Sequence, residues 1–123
     1  MAKNVDESLK DAMSIKGALG AALVDYTSGL TLGTAGGGQI NLDVAAAGNT
    51  EVVKAKMAVM KELNINGAIE DILITLDDQL HIIRLMNDKR GEGLFLYVAL
   101  NKEQANLAMA RHQLSSIEKS LTV

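Results

Sequence analysis

Two histidines, an acidic pair, three arginines and a run of glycines are the residues in this 123-residue chain whose types and spacing could support chemistry. The run Gly33-Thr34-Ala35-Gly36-Gly37-Gly38 would act by cradling a phosphate. It lacks the Lys-Ser/Thr ending of a phosphate loop and the spacing of a dinucleotide fingerprint. It also precedes the next helical pattern by several residues, so a flexible strand exit is the better reading. His81 falls in a predicted strand and His112 in a predicted helix. Neither has a second His or Cys at metal-ligand spacing, so each reads as a partly buried or surface histidine. Asp77-Asp78 stands between two strand patterns, where adjacent carboxylates form turns. No serine sits in a nucleophile elbow. Among Arg84, Arg90 and Arg111, only Arg90 lies in a loop-like stretch from which it could act in trans as an arginine finger; a solvated loop charge explains it as well. No nucleophile, base and orienting group stand together, and the chain reads as a binding protein, not an enzyme, with no cofactor and no metal.

Composition narrows the partners. The formal net charge is -3 and no basic run occurs, so nucleic acid has no electrostatic footprint to meet. One Phe, two Tyr and no Trp leave no base-stacking platform. Hydrophobic residues make up 48% and charged residues 22%, which is ordinary for a globular chain, and the length suits one domain. Cysteine is absent, excluding disulfides and thiolate metal sites. The opening residues lack the apolar stretch of a signal peptide, and the longest apolar run, Gly17 to Val24, is too short to span a bilayer. A cytoplasmic protein that does not insert into membranes is expected.

The elements that would position these residues follow from periodicity. Val5, Leu9 and Met13 predict a short helix. Ile15 to Tyr26 reads as a strand, Asp25 to Gly29 as a turn, and Leu30 to Thr34 as the return strand. A helix is predicted from Asp43, as N-cap, to Leu63, stopped by Asn64 or by Asn66-Gly67. Three strands follow, Ala68 to Leu76, Leu80 to Met86 and Leu94 to Leu100, with a loop from Asn87 to Gly93 between the last two. Asn101, with Gln104 three residues on, resembles a capping box for a last helix, whose apolar stripe is Leu107, Ala110, Leu114, Ile117 and Leu121. The order is α-β-β-α-β-β-β-α, with antiparallel hairpins. In the fifth strand Leu94, Leu96, Val98 and Leu100 share one face, and Phe95, Tyr97 and Ala99 share the other. A sheet apolar on both sides must be covered on both sides, which predicts a three-layer α/β/α sandwich of the α+β class with a five-stranded antiparallel sheet.

The middle helix carries more apolar surface than one contact needs. At ~100° per residue, Val53, Met57 and Met60 point one way, and Val52, Val59 and Leu63 widen the arc to roughly 160°. Lys54, Lys61, Glu51 and Glu62 hold the opposite face, and Lys56 falls inside the arc. The third strand, with Ile72 and Ile74, has the same surplus and reads as an edge that invites pairing. A two-fold homodimer that pairs third strands and sets middle helices side by side accounts for both. Its candidate interface is Val52, Lys56, Val59, Leu63, Ile72 and Ile74.

Two stretches resemble a known family. GALGAALVDYTSGLTLGTAGGG at Gly17–Gly38 resembles the opening hairpin of the Roadblock (dynein light chain) family, of profilin-like architecture. LFLYVALNKEQANLAMARHQLSSIEKSL at Leu94–Leu121 resembles the final strand and helix of its bacterial members, with Asn106-Leu107 and Ala110-Arg111 as typical features. The resemblance runs from Ala12 to Leu121. It implies a five-stranded antiparallel sheet with helices on both faces, a dimer with a sheet continuous across the interface, and a regulator or scaffold for Ras-like small GTPases, such as the gliding-type GTPases. It also implies docking on the paired middle helices, which here would offer Lys54, Lys61 and Glu51, with Lys56 nearby. The other function class weighed is a small-ligand sensory domain of similar architecture, which would need a cavity with a few convergent polar groups.

Overall fold

The computed structural model describes residues 2–87 and 93–122. Its elements are α1 (Val5–Met13), β1 (Ala18–Asp25), β2 (Leu30–Gly36), α2 (Leu42–Glu62), β3 (Asp71–Thr75), β4 (Gln79–Leu85), β5 (Leu94–Asn101) and α3 (Leu107–Ser120). The order is the expected one. All strand pairs are antiparallel, and the sheet runs β2-β1-β5-β4-β3. β5 lies at the centre because every residue from Leu94 to Leu100 is apolar and buried, which only a strand covered on both faces allows.

The alternation along the strands assigns the layers. Leu23, Ile82, Leu96, Val98 and Leu100 face α1 and α3, where Leu9, Ala12, Leu114 and Ile117 close over them. Ala22, Val24, Ile83, Phe95, Tyr97 and Ala99 face α2, which supplies Leu42, Ala46 and Val53. The molecule is the three-layer sandwich that the two-sided apolar strands require.

Several element ends differ from the sequence reading, each for a local reason. The first strand begins at Ala18, not Ile15: the chain turns at Gly17 (φ 88°), and Ile15 is buried in the α1/α3 core. The second continues past Thr34 to Gly36. The N-cap of α2 is Asn41, whose side chain accepts from the amides of Asp43 and Val44 (3.1 Å each), so Asp43 lies in the first turn, where its charge suits the positive end of the helix. Asn64, at φ 59°, stops α2 as expected. The third strand starts at Asp71, not Ala68; the carbonyl of Ile69 is taken by the Asn87 side chain (2.9 Å). Asn101 does not begin the last helix. Its Oδ1 accepts from the amides of Glu103 and Gln104 and closes a turn, and Asn106 caps α3 through the amide of Met109 (3.0 Å). Among the described residues a capping box stands at α1, between Asn4 and Glu7.

The glycine run has a packing role. A Cβ on Gly20 of β1 would come within 2.8 Å of Gly37 Cα, so the two backbones touch as the chain leaves β2 for α2. Gly36, Gly37 and Gly38 all have positive φ, a path closed to most side chains.

Candidate functional site

The sheet has two edges, β2 and β3. Along β2, Leu23 pairs with Gly33 and Val24 with Thr31, so Leu32 is passed over in a bulge that bends the edge. β3 has an unbroken register against β4, from Asp71↔Arg84 to Thr75↔Leu80. Ile72 and Ile74 share the face that looks toward α2. Asp71 lies on the other face, where Arg111 of α3 grips its carboxylate with Nε and an Nη (3.0 and 3.1 Å). Arg84 of β4 donates to Glu118 (2.9 Å), and the other Glu118 oxygen accepts from the Asn87 amide (2.9 Å). The edge is thus held from behind by α3, and its apolar side chains are half-buried on the side of α2.

α2 covers only part of its face. Val53 is fully buried, whereas Val52, Val59 and Leu63 remain 37%, 44% and 60% exposed. At ~100° per residue these three lie on one flank of the helix, with Lys56, which is also exposed. Along that flank runs a groove of about 400 Å³ whose walls include Val44, Ala45, Gly48 and Val52 and whose floor holds His81 and Tyr97. A second recess of about 350 Å³, under the C-terminal end of α2, is bordered by Met57, Met60, Lys61, Ile65, Ile69 and Leu85.

The groove floor is a hydrogen-bonded pair. His81 Nε2 is 2.8 Å from Gln79 Oε1 and donates to it, which leaves Nδ1 to accept from the Tyr97 hydroxyl at 3.2 Å. The rings meet edge to face with centroids 5.4 Å apart. Burial holds the imidazole below its ordinary value of 6.5 and the phenol above its ordinary 10.0, because each loses water that would stabilise its charged form.

Of the residues singled out in the sequence, Val52, Val59, Leu63 and Lys56 lie along one flank of α2, and Ile72 and Ile74 lie on the same side of the sheet, with the groove beside them. Lys54, Lys61 and Glu51 are exposed. By helical spacing Lys54 and Lys61 occupy the flank opposite Val52, with Glu51 on the crest between. His81 and His112 are on opposite sides of the sheet, and His112 is exposed on α3. Asp77 and Asp78 form the exposed β3–β4 turn. Arg90 and most of the loop before β5 lie outside the described residues. Among the described residues, no group of three His, Cys, Asp or Glu could hold a metal ion, and no helix is long and apolar enough to cross a membrane. The pairing of His81 with Tyr97 escaped the sequence reading. Its signal was present, since His81 stands between Leu80 and Ile82 and shares a face of β4 with Ile83 and Leu85, but the partner is distant in sequence.

No family model matches the chain, and no curated protein matches it in sequence. Solved structures do match in shape. A Roadblock/LC7 domain from Streptomyces avermitilis superposes with a TM-score of 0.81 at 17% identity, covering 96% of this chain and 94% of that one. Myxococcus xanthus MglB superposes with a TM-score of 0.74 at 17% identity, covering 93% and 85%. The gliding protein MglB from Thermus thermophilus gives 0.69 at 19% identity, covering 93% and 87%. The chain has the Roadblock/LC7 fold, in agreement with the resemblance of its two end stretches.

Proposed function

We propose that this chain is a non-enzymatic homodimeric regulator or scaffold for a Ras-like small GTPase. The observation that carries this reading is a coincidence of place: a regular, open β3 edge and the uncovered apolar flank of α2 lie on one side of the sheet. A second copy related by a two-fold axis would pair β3 with β3 and continue the sheet, and its α2 would lie over Val52, Val59 and Leu63. Fully burying an exposed aliphatic side chain is worth about 1.5–3 kcal/mol. These residues begin partly covered, so the gross gain from both copies is of the same order as the ~4–15 kcal/mol cost of association. Strand pairing then tips the balance.

The paired α2 helices would present Lys54, Lys61 and Glu51 outward as a docking face. Differential affinity for the nucleotide states of the GTPase would shift its populations, with no chemistry supplied by this chain. The shared fold with MglB proteins, one of them named a gliding protein, supports this partner class.

Light scattering over a micromolar concentration series tests the dimer; a strict monomer throughout would overturn it. The partner is tested by a pull-down with a gliding-type Ras-like GTPase, loaded separately with GDP and with a GTP analogue. Binding that prefers one state, and that weakens in a Lys54→Glu/Lys61→Glu double variant of unchanged circular dichroism, is the expected result. No binding in either state removes the GTPase from the reading.

A further inference from the structure

We propose that His81 is a proton-sensitive latch in the groove beside α2, so that a second copy of this chain settles there only while the imidazole is neutral. The inference rests on the dimer proposed above and goes beyond it by naming the group that regulates it. His81 pairs in register with Ile74 of the edge strand and shares the groove with Val52 of α2. Any surface that covers both Ile74 and Val52 therefore covers His81 as well.

In the neutral state both ring nitrogens are satisfied, Nε2–H by Gln79 and Nδ1 by the Tyr97 hydroxyl. Protonation puts a second N–H on Nδ1. Tyr97 must then turn its own hydrogen away and find it another acceptor under the incoming copy, where water has been displaced. The new charge also lacks a counter-ion. From α2 the groove receives Val44, Ala45, Gly48, Asn49 and Val52, and the next charged group on that flank is the cation Lys56. β5 supplies Tyr97, β3 supplies Ile74, and β4 supplies the neutral Gln79. Asn41, the cap of α2, borders the same groove and places the positive end of the helix dipole there. The carboxylates nearest in sequence, Asp77 and Asp78, border a different recess with Lys102 and Glu103. Asp43 points to the opposite side of α2 by helical spacing, and Glu51, on the crest of the helix, does not line the groove. By the two-fold proposed above, the partner lays its own Val52, Val59 and Leu63 flank over the groove, and the charged group on that flank is again Lys56.

The sign follows from linkage. Burial already lowers the His81 pKa below the ordinary 6.5, and a second copy deepens that burial. The contribution of the neutral imidazole to association is therefore fully present above the pKa of the separated chain, itself below 6.5, and is lost as pH falls through the still lower value of the dimer, because the separated chains bind the proton more readily than the dimer does.

The dissociation constant is measured by sedimentation at pH 7.5, 6.5 and 5.5 for the wild type, His81→Gln and His112→Gln, with circular dichroism at each pH to confirm the fold. The wild type and His112→Gln are expected to weaken by at least about tenfold between pH 7.5 and 5.5, and His81→Gln to stay within about twofold. A wild-type dimer indifferent to pH, or a His81→Gln variant that weakens as much as the wild type, overturns the latch and leaves the dimer standing. A wild type monomeric at pH 7.5 fails the dimer itself, and the latch with it. Should His81→Gln fail to fold, the imidazole resonances of the wild type decide: His81 is expected to titrate at lower pH in a concentrated sample than in a dilute one, and equal midpoints overturn the proposal.

Discussion

Under α1 and α3 the sheet is closed by two helices whose apolar stripes bury Leu9, Leu114 and Ile117, and Arg84–Glu118 and Arg111–Asp71 contacts tie down its margin. On the other side the sheet has, among the described residues, one helix, which sits toward β1 and β2, buries Val53 and leaves Val52, Val59 and Leu63 exposed. The edges differ in the same sense: β2 is bent by a bulge at Leu32, and β3 is straight and regular. The central strand β5 is apolar and buried on both faces, so the difference does not arise there. It arises from the helices laid on it. One face holds the fold together, and the other has surface to spare for a second molecule.

Removing buried methyl groups from beneath α1 and α3 should destabilise the fold, and removing the exposed ones of the α2 flank should not. Leu114→Ala is expected to cost about 2–5 kcal/mol in urea unfolding at a concentration where the chain is monomeric, because its side chain is fully buried and the cavity cannot collapse. Leu63→Ala should cost no more than about 0.5 kcal/mol in the same measurement, since the side chain is mostly exposed. Equal costs would mean that the end of α2 is as tightly packed as α3, and the contrast between the faces would fail.

The edges offer a second pair. Ile74→Lys puts a charge on the straight edge and is expected to abolish self-association in light scattering while the monomer stays folded. Leu32→Lys, at the bulge, should leave the dissociation constant within about twofold, because a bent edge is already a poor template. Loss of the dimer in the second variant alone would move the interface to β2.

A smaller effect is expected where α3 grips β3. Arg111→Ala removes a two-point contact with Asp71 and should cost about 1 kcal/mol, kept modest because the arginine is partly exposed. Its signature is local: amide exchange in β3 should quicken more than in β5. Uniform acceleration across the sheet would show that the ion pair supports global stability and not the edge.

Periodicity was enough to read the element order and the two-sided burial of β5, because Leu94 to Leu100 leaves no other arrangement. It also separated Val53, on the buried side of α2, from Val52 and Leu63. It failed at caps. Asn41, Asn101 and Asn106 have the same side chain, and only the backbone path decides which closes a turn and which opens a helix. The glycine run was legible as non-catalytic, but its contact with Gly20 joins residues 17 apart and has no local signal. Within the candidate site, the exposure of Val52, Val59 and Leu63 and the edge position of β3 were readable from surplus hydrophobicity. The His81–Tyr97 pair and the Arg111–Asp71 grip were not, since each joins residues brought together only by the order of strands in the sheet.

The smallest effect should differ in sign between the two faces. Among the described residues each has one buried aliphatic hydroxyl, Ser8 on α1 and Thr50 on α2. Thr50 Oγ1 donates to the carbonyl of Ala46 at 2.8 Å, so its polar group is satisfied within the helix. Ser8 Oγ has no hydrogen-bond partner. An unmet buried hydroxyl carries a desolvation penalty, and alanine is also the better helix former, so Ser8→Ala is expected to stabilise the chain by about 0.5 kcal/mol. Thr50→Ala gives up a made bond and a buried methyl and should destabilise by about 1 kcal/mol. Thermal unfolding of the two variants beside the wild type reads the signs directly. A destabilised Ser8→Ala would show that the hydroxyl is satisfied by water held beneath α1, and the tightly closed face would then contain a polar seam that the open one lacks.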